Sequence, residues 1–120
     1  MNIKTKLAAV CLGLAFSCSV TAQDAYPNRP IRLIVGFPAG QATDVIARMA
    51  ARKMQETLGQ PVVVENKPGA AGIIGSELVS KAAPDGYTLL VGSSGTMAIN
   101  PSLYSKLPYH PLKDFEPVTL

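Results

Sequence analysis

The chain has 120 residues, 48% of them hydrophobic, with 11 basic and 8 acidic side chains and one histidine. Two of the basic residues, Lys4 and Lys6, belong to the N-terminal segment, and the rest of the chain has nine basic and eight acidic residues. The basic residues form no run, which excludes the concentrated basic patch of nucleic-acid-binding proteins. Cys11 and Cys18 also lie in that segment, so residues 23–120 can hold no disulfide, thiol nucleophile or cysteine-based metal site.

Residues 1–22 have the organisation of a cleavable secretory signal peptide. Lys4 and Lys6 precede an apolar run at 7–16, and small residues at 20–22 form a cleavage site. The run is shorter than the roughly 20 apolar residues of a membrane-spanning helix. We therefore expect cleavage after Ala22 and a periplasmic mature protein.

Residues 31–58 predict a strand followed by an amphipathic helix. The strand is a short, β-rich apolar run at 31–37. Thr43 or Asp44 can cap the helix, and Gly59 can end it. Spacings of three and four predict that its core-facing residues are Val45, Ile46, Met49, Ala50, Met54 and Leu58.

Two further strands and a second helix are predicted up to residue 91. Residues 62–65 and 88–91 read as strands, and 73–82 as a helix that ends at the Pro84-Asp85-Gly86 turn. On one side of this helix lie Ile74, Leu78 and Val79. The β-α-β-α-β order predicts an α/β fold with a mostly parallel, doubly wound sheet and right-handed crossovers. Residues 116–120 predict the start of another strand.

A ligand crevice is expected where the first and third strands end. In a doubly wound sheet of strand order 2-1-3, the loops at 38–43 and 92–96 flank the carboxyl-end crevice. Both loops contain small and hydroxyl-bearing residues but no Lys or Arg, so neutral donors and helix N-termini would hold an anion. A small carboxylate-bearing ligand is expected. Asp44 suits a helix start, but it could also receive the ammonium group of an amino acid.

Structural roles are equally open for several of these residues. Thr96 and Asn100 could cap the short segment before Pro101, and Gln41 could simply face water. Glycine could also be required for tight turns and close helix packing, rather than for ligand binding, at Gly40, Gly69, Gly72 and Gly75.

Motifs of catalysis and nucleotide binding are incomplete. Ser94 lies in Gly-Ser-Ser-Gly-Thr, where Thr96 replaces the second glycine of a nucleophile elbow. No dinucleotide fingerprint or phosphate-binding Gly-Lys-Ser/Thr sequence follows any glycine loop. His110 has no partner at metal-site spacing, so we expect a surface or packing role. We predict no catalytic residue, metal or cofactor; the alternative is a secreted α/β hydrolase with its remaining catalytic residues beyond Leu120.

From Tyr26 to Leu120 the chain resembles the Bug-type substrate-binding receptors of tripartite tricarboxylate transporters. The resemblance rests on YPNRPIRLIVGFPAG, LGQPVVVENKPGAAGIIG and KAAPDGYTLLVGSSGTMAINPSLYSKLPYHPLKDFEPV. It implies a non-enzymatic, exported receptor with a two-domain fold like type II periplasmic binding proteins. Such receptors, expected to be monomers at full length, close over a di- or tricarboxylate, amino acid or aromatic acid. They pass this solute to membrane subunits of the transporter.

The resemblance also implies which residues line the first-domain half of the pocket. Family members hold a ligand carboxylate largely through backbone amides and bound waters. The corresponding residues here are Phe37, Pro38, Ala39, Gly40, Gln41, Ala42, Thr43, Asp44, Ser93, Ser94, Gly95, Thr96, Ala98 and Asn100. Gln41 departs from the family, in which a second glycine is common. Residues 23–120 are expected to be the N-terminal part of ligand-binding domain 1, without the hinge and domain 2, and to fold poorly alone.

Overall fold

A parallel sheet forms the centre of the fold. The computed structural model describes residues 25–119, so the predicted signal peptide and Leu120 lie outside the described residues. The strands are β1 (Ile31–Val35), β2 (Val62–Asn66) and β3 (Thr88–Val91). Both outer strands pair with β1 in parallel, in the order β2-β1-β3. The predicted parallel arrangement is therefore confirmed, and the strand order is the one on which the expected crevice depends.

The helices cover both faces of this sheet, as right-handed crossovers require. Helix α1 (Ala42–Leu58) packs on β1 and β2, whereas α2 (Ile73–Ser80) contacts β1 and β3. A 3-10 turn (Ala70–Gly72) precedes α2, and after β3 a π-helical turn (Gly95–Ile99) continues into the short helix α3 (Asn100–Leu103). No helix within residues 25–119 combines the length and apolar character that crossing a bilayer requires.

Small side chains make the contact between α1 and the sheet. Ala47 and Ala51 are buried against β1, and Met54 and Leu58 pack at the edge of the same cluster. Their small size lets the helix backbone lie close to the strands. The strands contribute Ile31, Leu33, Val35 and Val62 to this core.

The predicted core face of α1 is therefore wrong over its first half. Val45, Ile46 and Met49 are 49%, 63% and 69% exposed, and Ala50 is exposed too. These residues form a second apolar stripe beside the alanine stripe, and close packing on the sheet selects the smaller side chains. In α2, Ile74 is likewise exposed because Gly75 and Ser76 face the sheet.

Several element boundaries also differ from the prediction. Strand β1 ends at Val35 rather than residue 37. The next residue, Gly36, packs against the backbone of Gly72, where a Cβ on Gly36 would be 3.0 Å from Gly72 Cα. Helix α2 ends at Ser80 instead of residue 82. Residues 116–119 form no strand, since no described strand runs beside them to supply hydrogen bonds.

Candidate functional site

Three loops meet at the carboxyl edge of the sheet. Val35 of β1 pairs with Val91 of β3, so the β1 loop (residues 36–41) and the β3 loop (residues 92–94) start side by side. The β2 loop (residues 67–72) joins them at Gly72. A Cβ on Gly72 would lie 2.6 Å from Thr96 Cγ2 and 3.3 Å from Phe37 Cζ. The expected convergence of the first and third loops is thus present, with a glycine of the second loop between them.

Glycines at this junction serve close packing. Gly72 has a φ of 84°, and a Cβ on Gly75 would lie 2.9 Å from Gly36 Cα. These contacts leave no room for side chains and support the interpretation of Gly72 and Gly75 as packing residues. Gly40 also has a φ of 84°, but its position is open, so there only the turn requires glycine.

Asp44 anchors the β1 loop from within the first turn of α1. Its side chain is buried, and its Oδ2 accepts hydrogen bonds from the Gly40 N–H at 2.8 Å and from Arg48 Nε at 3.0 Å. Its Oδ1 accepts one from Asn66 Nδ2 at 2.9 Å. The N-cap residue is Gln41, without a side-chain cap, so the predicted caps at Thr43 and Asp44 are wrong. Asp44 instead turns its carboxylate back to the loop because Arg48 and Asn66 hold it there.

Sequence reasoning missed Asn66, the last residue of β2. Its Nδ2 also donates to the Phe37 carbonyl at 3.0 Å, while its Oδ1 accepts from Arg48 Nη2 at 3.1 Å. Asn66 therefore ties the β1 loop to the neighbouring strand. The polar carboxyl end of a valine-rich strand was the available signal, because ligand crevices of such sheets lie at the carboxyl ends of the strands.

The carboxylate of Asp44 makes the loop sensitive to acid. The Arg48 guanidinium, the Gly40 amide and the Asn66 side chain hold the pKa of Asp44 well below its usual range. A carboxyl with a depressed folded-state pKa stabilises the fold above its unfolded-state pKa of about 4, and this contribution is lost as the pH falls towards the folded-state value.

We therefore expect Asp44→Asn to flatten the acid side of the stability profile. The variant should be less stable than wild type at pH 7, because the Arg48 ion pair is lost. The difference should shrink on acidification below about pH 4, where the carboxylate takes up a proton in the unfolded chain while it stays ionised in the fold. Urea denaturation at a series of pH values measures both profiles. Parallel profiles would show that Asp44 contributes nothing to acid sensitivity.

The β3 loop is closed by reciprocal hydrogen bonds between Ser93 and Thr96. The Ser93 N–H donates to Thr96 Oγ1 at 3.0 Å, and the Thr96 N–H donates to Ser93 Oγ at 3.2 Å. This is the arrangement of a capping box, with Thr96 in place of the usual Glu or Gln. Asn100 donates from Nδ2 to the Ala71 carbonyl at 3.1 Å, which ties the π-helical turn to the β2 loop. Thr96 thus has a capping role, as one interpretation of the sequence proposed, whereas Asn100 bridges two loops.

Amide hydrogens without an internal acceptor lie at the start of α1 and at the start of the helical segment after β3. Those of Ala42 and Thr43, in the first turn of α1, have no acceptor within residues 25–119, nor do those of Ser94 and Gly95. The first N–H groups of a helix lack partners inside it and can bind an anion. Neither loop carries a Lys or Arg side chain. The segments that follow the two adjacent strands therefore offer an anion only neutral N–H donors.

Exposure divides the predicted site residues into three groups. Those that are buried hold the loops through the contacts above and comprise Asp44, Thr96 and Asn100. A half-buried group consists of Phe37, Thr43, Ser93 and Gly95. Solvent reaches Pro38, Ala39, Gly40, Gln41, Ala42, Ser94 and Ala98. Direct contact of any of them with a ligand stays a prediction.

No described residue activates Ser94 as a nucleophile. Within residues 25–119 its hydroxyl has no hydrogen-bond partner, and His110 Nδ1 accepts the Leu112 N–H at 3.2 Å. The same part of the chain contains no group of three His, Cys, Asp or Glu side chains placed to hold a metal ion. An open concavity of about 730 Å³ lies elsewhere, along residues 97–114, and none of the predicted site residues lines it.

Comparisons with known proteins place the chain in a family of receptors. The family model described as "Tripartite tricarboxylate transporter family receptor" matches residues 46–120. Protein BugT of Bordetella pertussis is 46% identical over the whole chain, which covers 38% of BugT. A Pseudomonas protein from the tcbD-tcbE intergenic region is 48% identical over 95% of the chain, which covers 34% of that protein. The chain thus spans about a third of the length of these curated relatives.

Solved structures share the fold. MatC from Rhodopseudomonas palustris with bound malate matches 78% of the chain at 45% identity with a TM-score of 0.75, over 32% of MatC. An R. palustris protein solved with adipate matches 72% at 37% identity with a TM-score of 0.69, over 29% of that protein. The periplasmic binding protein BugD matches 78% of the chain at 47% identity with a TM-score of 0.71, over 31% of BugD. The fold is therefore that of periplasmic binding proteins, as predicted.

Proposed function

Because the chain belongs to the tripartite tricarboxylate transporter receptor family, we propose that it forms part of an exported receptor for a small carboxylate-bearing metabolite. Its residues 23–120 provide the N-terminal part of the first ligand-binding domain. One observation carries the proposal: the amide hydrogens of Ala42, Thr43, Ser94 and Gly95 have no acceptor among the described residues and follow the adjacent strands β1 and β3. In this position they can bind one carboxylate of the solute.

Dicarboxylates are the first candidates within this class. Structures with malate and with adipate come from relatives that are 45% and 37% identical to this chain. Tricarboxylates, amino acids and aromatic acids also carry the carboxylate that the amides would receive. Gln41 precedes α1 with an exposed side chain, and we propose that it contacts the part of the solute beyond this carboxylate.

The rest of the receptor cycle follows from this assignment. Residues 1–22 direct export to the periplasm and are removed. A second domain supplies the opposite wall of the cleft, and hinge closure traps the solute between the two domains. The closed, monomeric receptor delivers the solute to the membrane subunits of the transporter.

Titration calorimetry of the intact receptor containing residues 23–120 tests the proposal. The panel is malate, adipate, citrate, glutamate and benzoate, with the diamides of malate and adipate as uncharged controls. We expect one-to-one binding of at least one carboxylate and no binding of either diamide, because the amide hydrogens at the two loops attract a negative charge. Failure of every carboxylate to bind, or equal binding of acid and diamide, would contradict carboxylate capture.

A further inference from the structure

The carbonyl group of Thr96 has no backbone donor in the π-helical turn. Asn100 donates its N–H to the Gly95 carbonyl, five residues back, as the π register requires. In that register the Thr96 carbonyl would accept from residue 101, which is Pro101 and has no N–H. The combination of a π turn and a proline therefore leaves this carbonyl dependent on a donor from outside the helix.

Tyr109 supplies that donor. Its Oη donates to the Thr96 carbonyl oxygen at 2.6 Å, and the residue is only 4% exposed. The Tyr109 ring packs edge-on against Phe115, with centroids 5.8 Å apart and planes at 80°. The hydroxyl is thus held at a fixed point below the β3 loop by its packed ring.

Thr96 transmits this restraint to the amides of the β3 loop. Its Oγ1 accepts from the Ser93 N–H, and its own N–H donates to Ser93 Oγ, so Ser93 and Thr96 are fixed relative to each other. Between them lie Ser94 and Gly95, whose amide hydrogens have no acceptor in the part of the chain that the structure describes. A shift of the Thr96 peptide would therefore turn these two amides.

We propose that Tyr109 is a positioning residue for solute binding, acting through the Thr96 carbonyl on the Ser94 and Gly95 amides. The inference rests on the proposed carboxylate-binding function of those amides. The proline-rich segment after α3 (residues 104–117) thereby has a function in solute binding. This segment holds the β3 loop in its binding conformation without touching the solute.

The test separates the hydroxyl of Tyr109 from the packing of its ring. Tyr109→Phe keeps the ring against Phe115 but leaves the Thr96 carbonyl without a donor. We expect the Kd for the best carboxylate to rise by about tenfold, the effect of losing one hydrogen bond at a buried site. Amide hydrogen exchange at Ser93 and Thr96, measured without solute, should accelerate by a similar factor.

A second substitution provides the rescue. Pro101→Ala restores an N–H at position 101, which can donate to the Thr96 carbonyl in the existing π register. If the segment relaxes to an α-helix, the Asn100 N–H reaches the same carbonyl instead. The double variant Tyr109→Phe/Pro101→Ala should therefore regain most of the affinity, and its amides at Ser93 and Thr96 should exchange almost as slowly as in wild type. Pro101→Ala alone should bind like wild type.

The readouts keep this inference separate from the proposed function. If Tyr109→Phe leaves both exchange and affinity unchanged, or if the double variant shows no recovery, Tyr109 does not position the loop. Exchange that accelerates and is rescued without any change in affinity would confine Tyr109 to a structural role and overturn the inference. If wild type binds no carboxylate, the proposed function fails and the positioning role for solute falls with it, even where exchange is rescued.

Discussion

Ser94→Pro is expected to weaken carboxylate binding by roughly 10- to 100-fold, the effect of losing one hydrogen bond to a charged group. Ser94 has φ −54° and ψ −35°, which a proline ring accommodates, and it stands at the start of a helical segment, where proline is well tolerated. Its N–H has no acceptor within the described residues, so the substitution removes no internal hydrogen bond. The change therefore removes a proposed ligand donor with little effect on the fold. Titration calorimetry with the best carboxylate measures the loss.

Ser94→Ala is the matched control, because it removes the hydroxyl and keeps the amide hydrogen. Its Kd should stay within about twofold of wild type, since the proposed donor is the backbone N–H. Ala42→Pro repeats the test at α1, where Gln41 is extended (φ −76°, ψ 164°), the conformation preferred before a proline. Wild-type affinity in both proline variants would contradict capture by the amides. Equal losses in Ser94→Ala and Ser94→Pro would assign the contact to the hydroxyl.

The meeting of the β1 and β3 loops was predictable from the sequence because it depends on few choices. Short β-rich runs bounded by Gly and Pro identified all three strands to within two residues at their ends. Connections long enough for a helix require parallel pairing, and right-handed crossovers place the helices on opposite faces. Once β1 lies in the middle, the loops that follow β1 and β3 must start together.

The packing of α1 was harder to predict, since its sequence contains two stripes with helical spacing. One carries Val45, Ile46 and Met49, whose large side chains dominate any estimate of hydrophobicity. The other carries Ala47 and Ala51, and this is the stripe that packs on the sheet. Spacing alone cannot choose between them, because the distance between helix and sheet sets the side-chain size that fits.

Restraint of the loops depends on contacts between distant parts of the chain. Asn66 reaches Asp44 across 22 positions, and Tyr109 reaches Thr96 across 13. Each contact requires the strands or the proline-rich segment to be in place first. A lone Asn at a strand end and a Tyr between prolines carry no spacing pattern that names their partners, so these positioning residues emerge only from the folded structure.

Gly72→Ala should destabilise the protein by about 3 kcal/mol, which combines the strain of a left-handed backbone with overpacking. At φ 84° and ψ 1° the new Cβ would lie 2.6 Å from Thr96 Cγ2. Thr96 cannot yield easily, because it is β-branched, 2% exposed and hydrogen-bonded to Ser93. On the other side, Phe37 Cζ would be 3.3 Å away. Urea denaturation of the intact protein measures the change in the free energy of unfolding.

Gly59→Ala separates the backbone strain from the clash. Gly59 follows α1 with φ 68° and ψ 9°, close to the conformation of Gly72, and a Cβ there would meet nothing within 4 Å. It should therefore lose only about 1 kcal/mol, the strain of a left-handed alanine. The excess loss in Gly72→Ala then reports the contact with Thr96 and Phe37, and the same displacement should weaken solute binding. Equal losses in the two variants would mean that the three loops do not meet as tightly at Gly72 as the structure shows.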